Sequence, residues 1–138
     1  MKRNTALGIG LAATLAAAAL WHGPGGAGAR FAGSVDRTIR ATLDHYEMPQ
    51  VSARLQRGPL VRRLMLDGPA DNFQRSEIKR IGLDVPGVQS AYWSGPRQPG
   101  FALPLLAEVM ALALASFAIG VVIAYVAALR RRARDACS

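Results

Sequence analysis

The sequence predicts a small α+β domain attached to one or two transmembrane helices, and three observations support this class. Two stretches near the chain ends, Thr5–Trp21 and Val109–Leu129, contain no charged residue. The intervening residues 30–100 carry eleven Lys/Arg and seven Asp/Glu, so the charge typical of a water-exposed domain is concentrated there. Within that region, apolar residues recur with both helical and strand periods. About 70 residues are close to the lower limit for one self-supporting core, which excludes a large enzyme.

Residues 1–29 have the layout of a secretory signal peptide or of an N-terminal membrane anchor. Lys2 and Arg3 form a positive start, an alanine-rich apolar run follows, and Ala27-Gly28-Ala29 has the small residues of a cleavage site. A retained anchor fits equally well, because a helix of seventeen uncharged residues is roughly 25 Å long. The glycine-rich stretch His22–Ala29 predicts a flexible linker after this segment.

Residues 103–129 give the stronger membrane signal. The 21 uncharged residues of Val109–Leu129 make a helix of roughly 30 Å, which matches the hydrocarbon thickness of a bilayer. Pro104 suits the first turn of this helix, and Glu108 is expected at the outer interface close to the helix start. The alternative is a core helix of a soluble protein, which is disfavoured because nothing else in 138 residues is able to bury it.

Basic residues at both ends of the chain predict its orientation. Lys2 and Arg3 precede the first apolar segment, and the tail 130–138 follows the second. This tail contains four arginines, Arg130, Arg131, Arg132 and Arg134. Positive flanks mark the cytoplasmic side of a span. The sequence therefore predicts a membrane protein with a cytoplasmic tail and with residues 30–94 outside the cytoplasm, which in a bacterium means an inner-membrane protein with a periplasmic domain.

The central domain begins with a predicted amphipathic helix. Its apolar residues recur every three or four positions, at Phe31, Val35, Ile39, Leu43 and Tyr46. Ser34 is the predicted N-cap, and Met48-Pro49 ends the helix.

A β-hairpin is predicted next. Residues 51–56 alternate apolar and polar side chains, and a Gly-Pro turn leads into a second strand over residues 60–67. The period of two places Leu64 on the core face, Arg62 at the rim of that face, and Arg63 on the opposite face.

A second helix and a third strand complete the predicted domain. Asp71 is expected to cap the helix together with Gln74, and Val85-Pro86-Gly87 ends it. Val88–Ser94 then forms a strand, and residues 95–102 form a Pro/Gly linker to the C-terminal span. The order α-β-β-α-β packs economically as one sheet with two helices on one face.

This order and several local motifs resemble a BON domain, a small domain of bacterial envelope proteins. The similarity covers residues 34–94 and rests on a strand that ends Leu64-Met65-Leu66-Asp67-Gly68, a polar helix, and Val85-Pro86-Gly87-Val88 before the last strand. Pro69 departs from the family pattern, in which a strand usually continues after the glycine. The flanking membrane segments make the chain similar to the N-terminal module of some OmpA-family envelope proteins, without their peptidoglycan-binding domain. The resemblance implies association with phospholipid.

Catalytic and metal-binding constellations are not visible in the sequence, so neither an enzyme activity nor a cofactor or metal is expected. His22 and His45 are isolated along the chain. Cys137 is the single cysteine, which excludes an intramolecular disulfide framework and a cysteine-rich zinc site.

Basic residues are the most suggestive candidates for a binding site. Seven of them lie on the predicted hairpin and second helix, Arg54, Arg57, Arg62, Arg63, Arg75, Lys79 and Arg80. Such groups near a bilayer attract anionic lipid head groups by about 1 kcal/mol each, which predicts docking on membrane phospholipid. The alternative is an ordinary soluble surface rich in arginine. Nucleic acid is not expected as a partner, because this surface lies outside the cytoplasm and six of the 17 basic residues are topology signals.

Small residues at four-residue spacing in the second span predict close helix packing. Ser116, Gly120 and Ala124 fall on one side of the helix, where they let another backbone approach. The partner is the first segment, if it is retained, or another protein. A second hypothesis is therefore a protein-interaction subunit of a larger envelope complex, whose oligomeric state the sequence does not specify.

Overall fold

The computed structural model describes residues 3–95 and 100–135, and the predicted topology residue Lys2, the Arg3 side chain and Cys137 lie outside this description. Within these residues the elements are, in order, α1 (Arg3–His22), α2 (Ala27–His45), β1 (Ser52–Arg57), β2 (Leu60–Asp67), α3 (Asn72–Asp84), β3 (Ser90–Trp93) and α4 (Leu105–Asp135). This mixture of helices and a small sheet confirms the α+β class. The BON-like character of the domain stays a prediction.

The sheet has the strand order β1-β2-β3. The predicted hairpin is confirmed, because β1 pairs antiparallel with β2 and Leu55 lies opposite Leu64. β3 pairs with β2 in parallel, with Ala91 beside Leu64. β2 and β3 are parallel because α3, which connects them, returns the chain to the end of the sheet at which β2 begins.

One face of the sheet is buried under α2 and α3. α2 contributes Ala32, Val35, Ile39 and Leu43, the strands contribute Leu55, Leu64, Leu66 and Ala91, and α3 contributes Ile78 to this core. These residues alternate along the strands and recur at helical spacing along α2, as the periods in the sequence predict. The result is a single apolar layer between one sheet face and two helices.

α2 begins earlier than the sequence analysis predicts. Gly26 is the N-cap with φ 73°, a left-handed conformation that glycine adopts without strain. The prediction of Ser34 as N-cap is wrong, since its hydroxyl lies inside the helix and donates to the Phe31 carbonyl at 2.7 Å. Gly28 is buried against α1, where an added Cβ would lie 3.0 Å from His22 Nε2. The predicted linker is therefore a short turn between two packed helices.

α3 begins as the sequence predicts. The Asp71 side chain accepts a hydrogen bond from the Gln74 backbone N–H at 2.7 Å, and the Gln74 side chain accepts one from the Asp71 N–H at 3.1 Å. This reciprocal pair satisfies two N–H groups that the first turn of a helix leaves without partners. The capping box therefore stabilises the N-terminus of α3, which follows β2 in the chain.

α1 and α4 are both long and apolar enough to cross a membrane. Their apolar windows are not buried inside the described part of the chain, unlike the core helix of a soluble protein. The two helices pack together, and an added Cβ at Gly10 would lie 3.3 Å from Phe117 Cε2. The chain enters the domain from α1 and leaves it into α4, so the two helices run in opposite directions.

Candidate functional site

The most distinctive site lies where β2 meets the start of α4. Val61 of β2 forms an isolated antiparallel bridge with Pro104, and both Val61 and Leu105 are buried. Gly100 accepts a hydrogen bond from Arg63, and Phe101, Ala102 and Pro104 lie around that side chain. Residues 100–104 therefore cover one end of the outer sheet face, the face opposite the core. This covering joins the domain directly to the helix that the sequence predicts to be the stronger membrane span.

Arg62 and Glu108 strengthen this junction. Arg62 Nε lies 3.0 Å from Glu108 Oε2, and the Glu108 side chain is 19% exposed. Glu108 occupies the first turn of α4, where a carboxylate also interacts favourably with the helix dipole. From the sequence, Arg62 is predicted to bind lipid and Glu108 to lie at the outer interface. Their pairing could not be predicted, because periodic patterns relate only residues that are close together in the chain. In the structure they form an ion pair between β2 and the first turn of α4.

Arg63 differs from the exposed arginine that the sequence predicts. It points to the outer face as expected, but it is only 5% exposed because residues 100–104 cover it. Its terminal nitrogens donate to Gln56 Oε1 at 3.2 Å and to the Gly100 carbonyl. Its guanidinium carbon lies 5.2 Å from the Tyr92 ring centroid, within the range of a cation–π interaction.

A shallow cavity of about 230 Å³, open to solvent, lies beside Arg63. Its walls are formed mainly by Gln56, Pro59, Val61, Arg63, Phe101 and Pro104. Most of this lining is apolar, and the Phe101 side chain at its mouth is 91% exposed. The cavity thus combines one buried cation with apolar walls at the entry to α4.

The other predicted lipid-binding residues are divided among different surfaces. Arg57 pairs with Asp36 at 2.6 Å, and Arg80 pairs with Glu77 at 2.8 Å. The hydrogen bond to Glu77 raises the pKa of the Arg80 guanidinium. Both arginines are exposed, so these pairs are surface interactions that partly cancel positive charge. Neither contributes an unpaired cation to the proposed lipid surface.

Two more of these cations lie over aromatic rings. The Arg75 guanidinium lies 5.2 Å from the Trp93 ring centroid, and Lys79 Nζ lies 5.6 Å from that of Tyr92. Arg54 is exposed on the outer sheet face, and among the described residues it has no ion-pair partner. Arg54 and Arg63 therefore lie on the sheet face that carries Tyr92, and Lys79 contacts the same ring from α3. The other four lie elsewhere.

Exposed aromatic residues occur where both long helices meet the domain. Trp21 near the end of α1 is 66% exposed, and Arg30 lies 5.5 Å from its ring centroid. Phe101 lies just before α4, and Tyr125 lies near its other end. Trp and Tyr favour the boundary between lipid and water, so Trp21 and Tyr125 are compatible with helices that cross a membrane. Trp21 and Phe101 are not among the residues predicted from the sequence to contribute to a site. Their positions beside the apolar segments could have identified them as interface residues.

The predicted packing stripe on α4 is open in the structure. Ser116, Gly120 and Ala124 are exposed, and an added Cβ at Gly120 has no atom within 4 Å in the described part of the chain. α1 packs against a different side of α4, the side that carries Phe117. The four topology arginines are exposed at the far end of α4, where Arg130, Arg131 and Arg134 line a groove with Val122 and Val126.

Among residues 3–95 and 100–135, no group of three or more His, Cys, Asp or Glu side chains could hold a metal ion. Comparison with protein-family models, curated proteins and solved structures gives no match to this chain. The function is therefore inferred from the arrangement of the residues themselves.

Proposed function

We propose that the chain is an inner-membrane protein of a bacterium that holds one BON-like domain at the periplasmic membrane surface. There the domain acts as a binding or scaffold module that associates with anionic phospholipid. The observation that carries this proposal is the junction of β2 with α4, where Arg62 and Arg63 lie beside the first turn of a helix apolar enough to cross a bilayer.

The orientation rests on the two basic chain ends. Both helices leave the domain in the same direction, so α1 begins, at Arg3, at the same end of the helix pair as Arg130–Arg134. Lys2 directly precedes α1 in the sequence. Excess Lys and Arg favour the cytoplasmic side, which leaves the domain in the periplasm. A fluorescent protein that matures only in the cytoplasm, fused after Ser138, is expected to fluoresce. A dark but full-length fusion would contradict this orientation.

The lipid preference rests on the position of the cations. A basic group near an anionic surface gains about 1 kcal/mol, and this attraction is screened beyond about 8–10 Å. The Arg62–Glu108 pair and the Val61–Pro104 bridge keep β2 close to the start of α4. Arg54 lies on the outer sheet face, and Lys79 of α3 lies over the Tyr92 ring of that face. Both are exposed cations without an ion-pair partner among the described residues.

The lipid preference is tested on the full chain extracted with a polymer that retains surrounding lipid. The ratio of anionic to zwitterionic phospholipid in the extracted protein–lipid particles is compared with the same ratio in the bulk membrane. We expect enrichment of anionic lipid by about fivefold, the ratio that corresponds to about 1 kcal/mol. Arg54→Gln/Lys79→Gln should lower it, whereas Arg37→Gln, on the helix that covers the opposite sheet face, should not. A ratio equal to that of the bulk membrane would reject the proposal.

A second candidate function is a protein-interaction subunit. The observation that favours it is the open stripe on α4, because small residues that leave a helix face uncovered allow a partner helix to approach. Purification in mild detergent should then recover a partner in stoichiometric amount, and Gly120→Leu should release it. Val122→Leu, at another exposed position of α4, is the matched control. Recovery of the chain alone would reject this candidate.

A further inference from the structure

Arg63 is a buried cation without a counter-ion in the described structure. It is 5% exposed, and no carboxylate lies within 4 Å of it among residues 3–95 and 100–135. The sequence Pro96-Arg97-Gln98-Pro99, which lies outside the description, contains no acidic residue. Burial of an uncompensated charge is costly, so buried arginines are usually paired with an anion. The neighbouring Arg62, which is less buried, has such a partner in Glu108.

Within residues 3–95 and 100–135, the groups that hydrogen-bond to Arg63 or stack on it are neutral. They are the amide of Gln56, the carbonyl of Gly100 and the ring of Tyr92. The Arg63 Nε–H is buried and has no hydrogen-bond partner within the described part of the chain. The guanidinium therefore has both an unneutralised charge and donor capacity that the protein does not use.

The cavity beside Arg63 defines the kind of anion that would fit. Its apolar walls include Pro59, Val61 and Phe101, which favour a ligand with hydrocarbon next to its charge. Pro104 also lines the cavity and lies directly before α4, so the cavity is next to the start of that apolar helix. A phosphodiester attached to acyl chains has this combination, whereas free phosphate has no part that uses the apolar walls.

We propose that this cavity is a binding site for the phosphate of one membrane phospholipid. Arg63 neutralises the phosphodiester, and the acyl chains pass Phe101 and follow the apolar surface of α4 into the bilayer. This inference rests on the proposed function and names the site at which a single lipid is held. It differs from the general attraction of exposed cations for an anionic surface, because it requires a buried guanidinium and a defined cavity.

Native mass spectrometry of the full chain in mild detergent tests the site. The chain is incubated in separate experiments with phosphatidylglycerol, with phosphatidylcholine and with inorganic phosphate. We expect one phosphatidylglycerol per chain, held about tenfold more tightly than inorganic phosphate, a ratio that corresponds to about 1.4 kcal/mol. Binding of inorganic phosphate with the same affinity as the lipid would overturn the assignment to a phospholipid. Phosphatidylcholine bound as tightly as phosphatidylglycerol would overturn the link to anionic lipid.

Two variants decide whether the cavity is the site. Arg63→Gln should lose the bound phosphatidylglycerol, and Arg37→Gln, an exposed arginine on α2, should retain it. Phe101→Ala should weaken binding without unfolding the domain, because this side chain is 91% exposed. If Arg63→Gln fails to fold, as judged by circular dichroism, the Phe101→Ala result decides. Wild-type affinity in the folded Arg63→Gln variant, or in Phe101→Ala when Arg63→Gln does not fold, would overturn the proposal.

Failure of the site is distinguishable from failure of the proposed function. If polymer-extracted Arg63→Gln keeps the wild-type enrichment of anionic lipid and binds phosphatidylglycerol normally in detergent, the site is rejected and the general lipid association stands. If the wild-type chain shows no enrichment of anionic lipid, the proposed function is rejected at the level of the whole protein.

Discussion

The two faces of the sheet are built from alternate residues of the same strands but have different chemistry. On the inner face, Leu64 and Leu66 of β2 are fully buried under α2 and α3. On the outer face, Val61 and Arg63 of the same strand contact residues 100–104 and the cavity. Because side chains alternate along a strand, β2 serves the core with one set of residues and the junction to α4 with the other.

This difference indicates that stability and attachment are separable in the domain. The inner face has a continuous apolar layer, in which removal of one side chain leaves a cavity. The outer face has a buried cation, polar contacts and the cavity beside Arg63. Substitutions on this face should change charge and binding more than packing. Substitutions on the two faces should therefore have different effects, and the following predictions test this difference.

The largest expected effect is that of Leu64→Ala on the inner face. Leu64 has no exposed surface and lies on the central strand between β1 and β3. Its truncation therefore leaves a cavity in the middle of the apolar core. We expect the free energy of unfolding to fall by about 2–5 kcal/mol. Chemical unfolding of the full chain in detergent, followed by circular dichroism, measures it. Met65→Ala, at the half-buried neighbour on the outer face, is the control, and equal losses would contradict the division between the faces.

Asp36→Ala should have the next largest effect, because Asp36 joins α2 to the edge strand. Its Oδ1 accepts a hydrogen bond from the Leu55 N–H at 2.8 Å, and its Oδ2 pairs with Arg57 at 2.6 Å. The substitution leaves the Leu55 N–H without this acceptor and should cost about 2 kcal/mol in the same unfolding experiment. Asp44→Ala removes a more exposed pair with Arg40 and should cost less than about 0.5 kcal/mol. A similar loss in both variants would show that the bond to β1 is unimportant.

Much of the inner face could be predicted from the sequence, because its signals are local. The alternation around Leu64, the spacing of Ile39 and Leu43, and the Asp71–Gln74 capping box each involve residues close together in the chain. Such patterns reflect the periods of strands and helices and the needs of a helix end. The structure contains each of these features.

The outer face could not be predicted in the same way. The sequence places Arg63 opposite Leu64, but a period of two does not say whether another segment covers that face. Its burial depends on residues 100–104, and the partner of Arg62 depends on where α4 begins. Both are long-range consequences of the path of the chain after β3. The seven basic residues looked like one surface in the sequence because their exposure and partners were unknown.

Asp71→Ala tests a local feature of α3 and should have a moderate effect. The substitution removes the side-chain acceptor for the Gln74 N–H, and with it one half of the capping box. We expect a loss of about 1 kcal/mol in the free energy of unfolding. Asp71→Asn keeps a side-chain oxygen at this position and should retain most of the stability. A loss as large for Asn as for Ala would mean that charge, rather than hydrogen bonding, is responsible.

The smallest expected effect concerns the junction between the domain and α4. A double-mutant cycle of Arg62→Ala and Glu108→Ala isolates the coupling between the two residues, which we expect to be about 0.5–1 kcal/mol for a partly exposed pair. The matched cycle of Arg80→Ala and Glu77→Ala, on one helix face, should show a smaller coupling because these two side chains are more exposed. A larger coupling for Arg62–Glu108 than for Arg80–Glu77 would show that Arg62 contributes to the attachment of the domain to α4. Equal coupling in the two cycles would mean that Arg62 behaves as an ordinary surface arginine and that the domain is held to α4 mainly by Val61, Pro104 and Leu105.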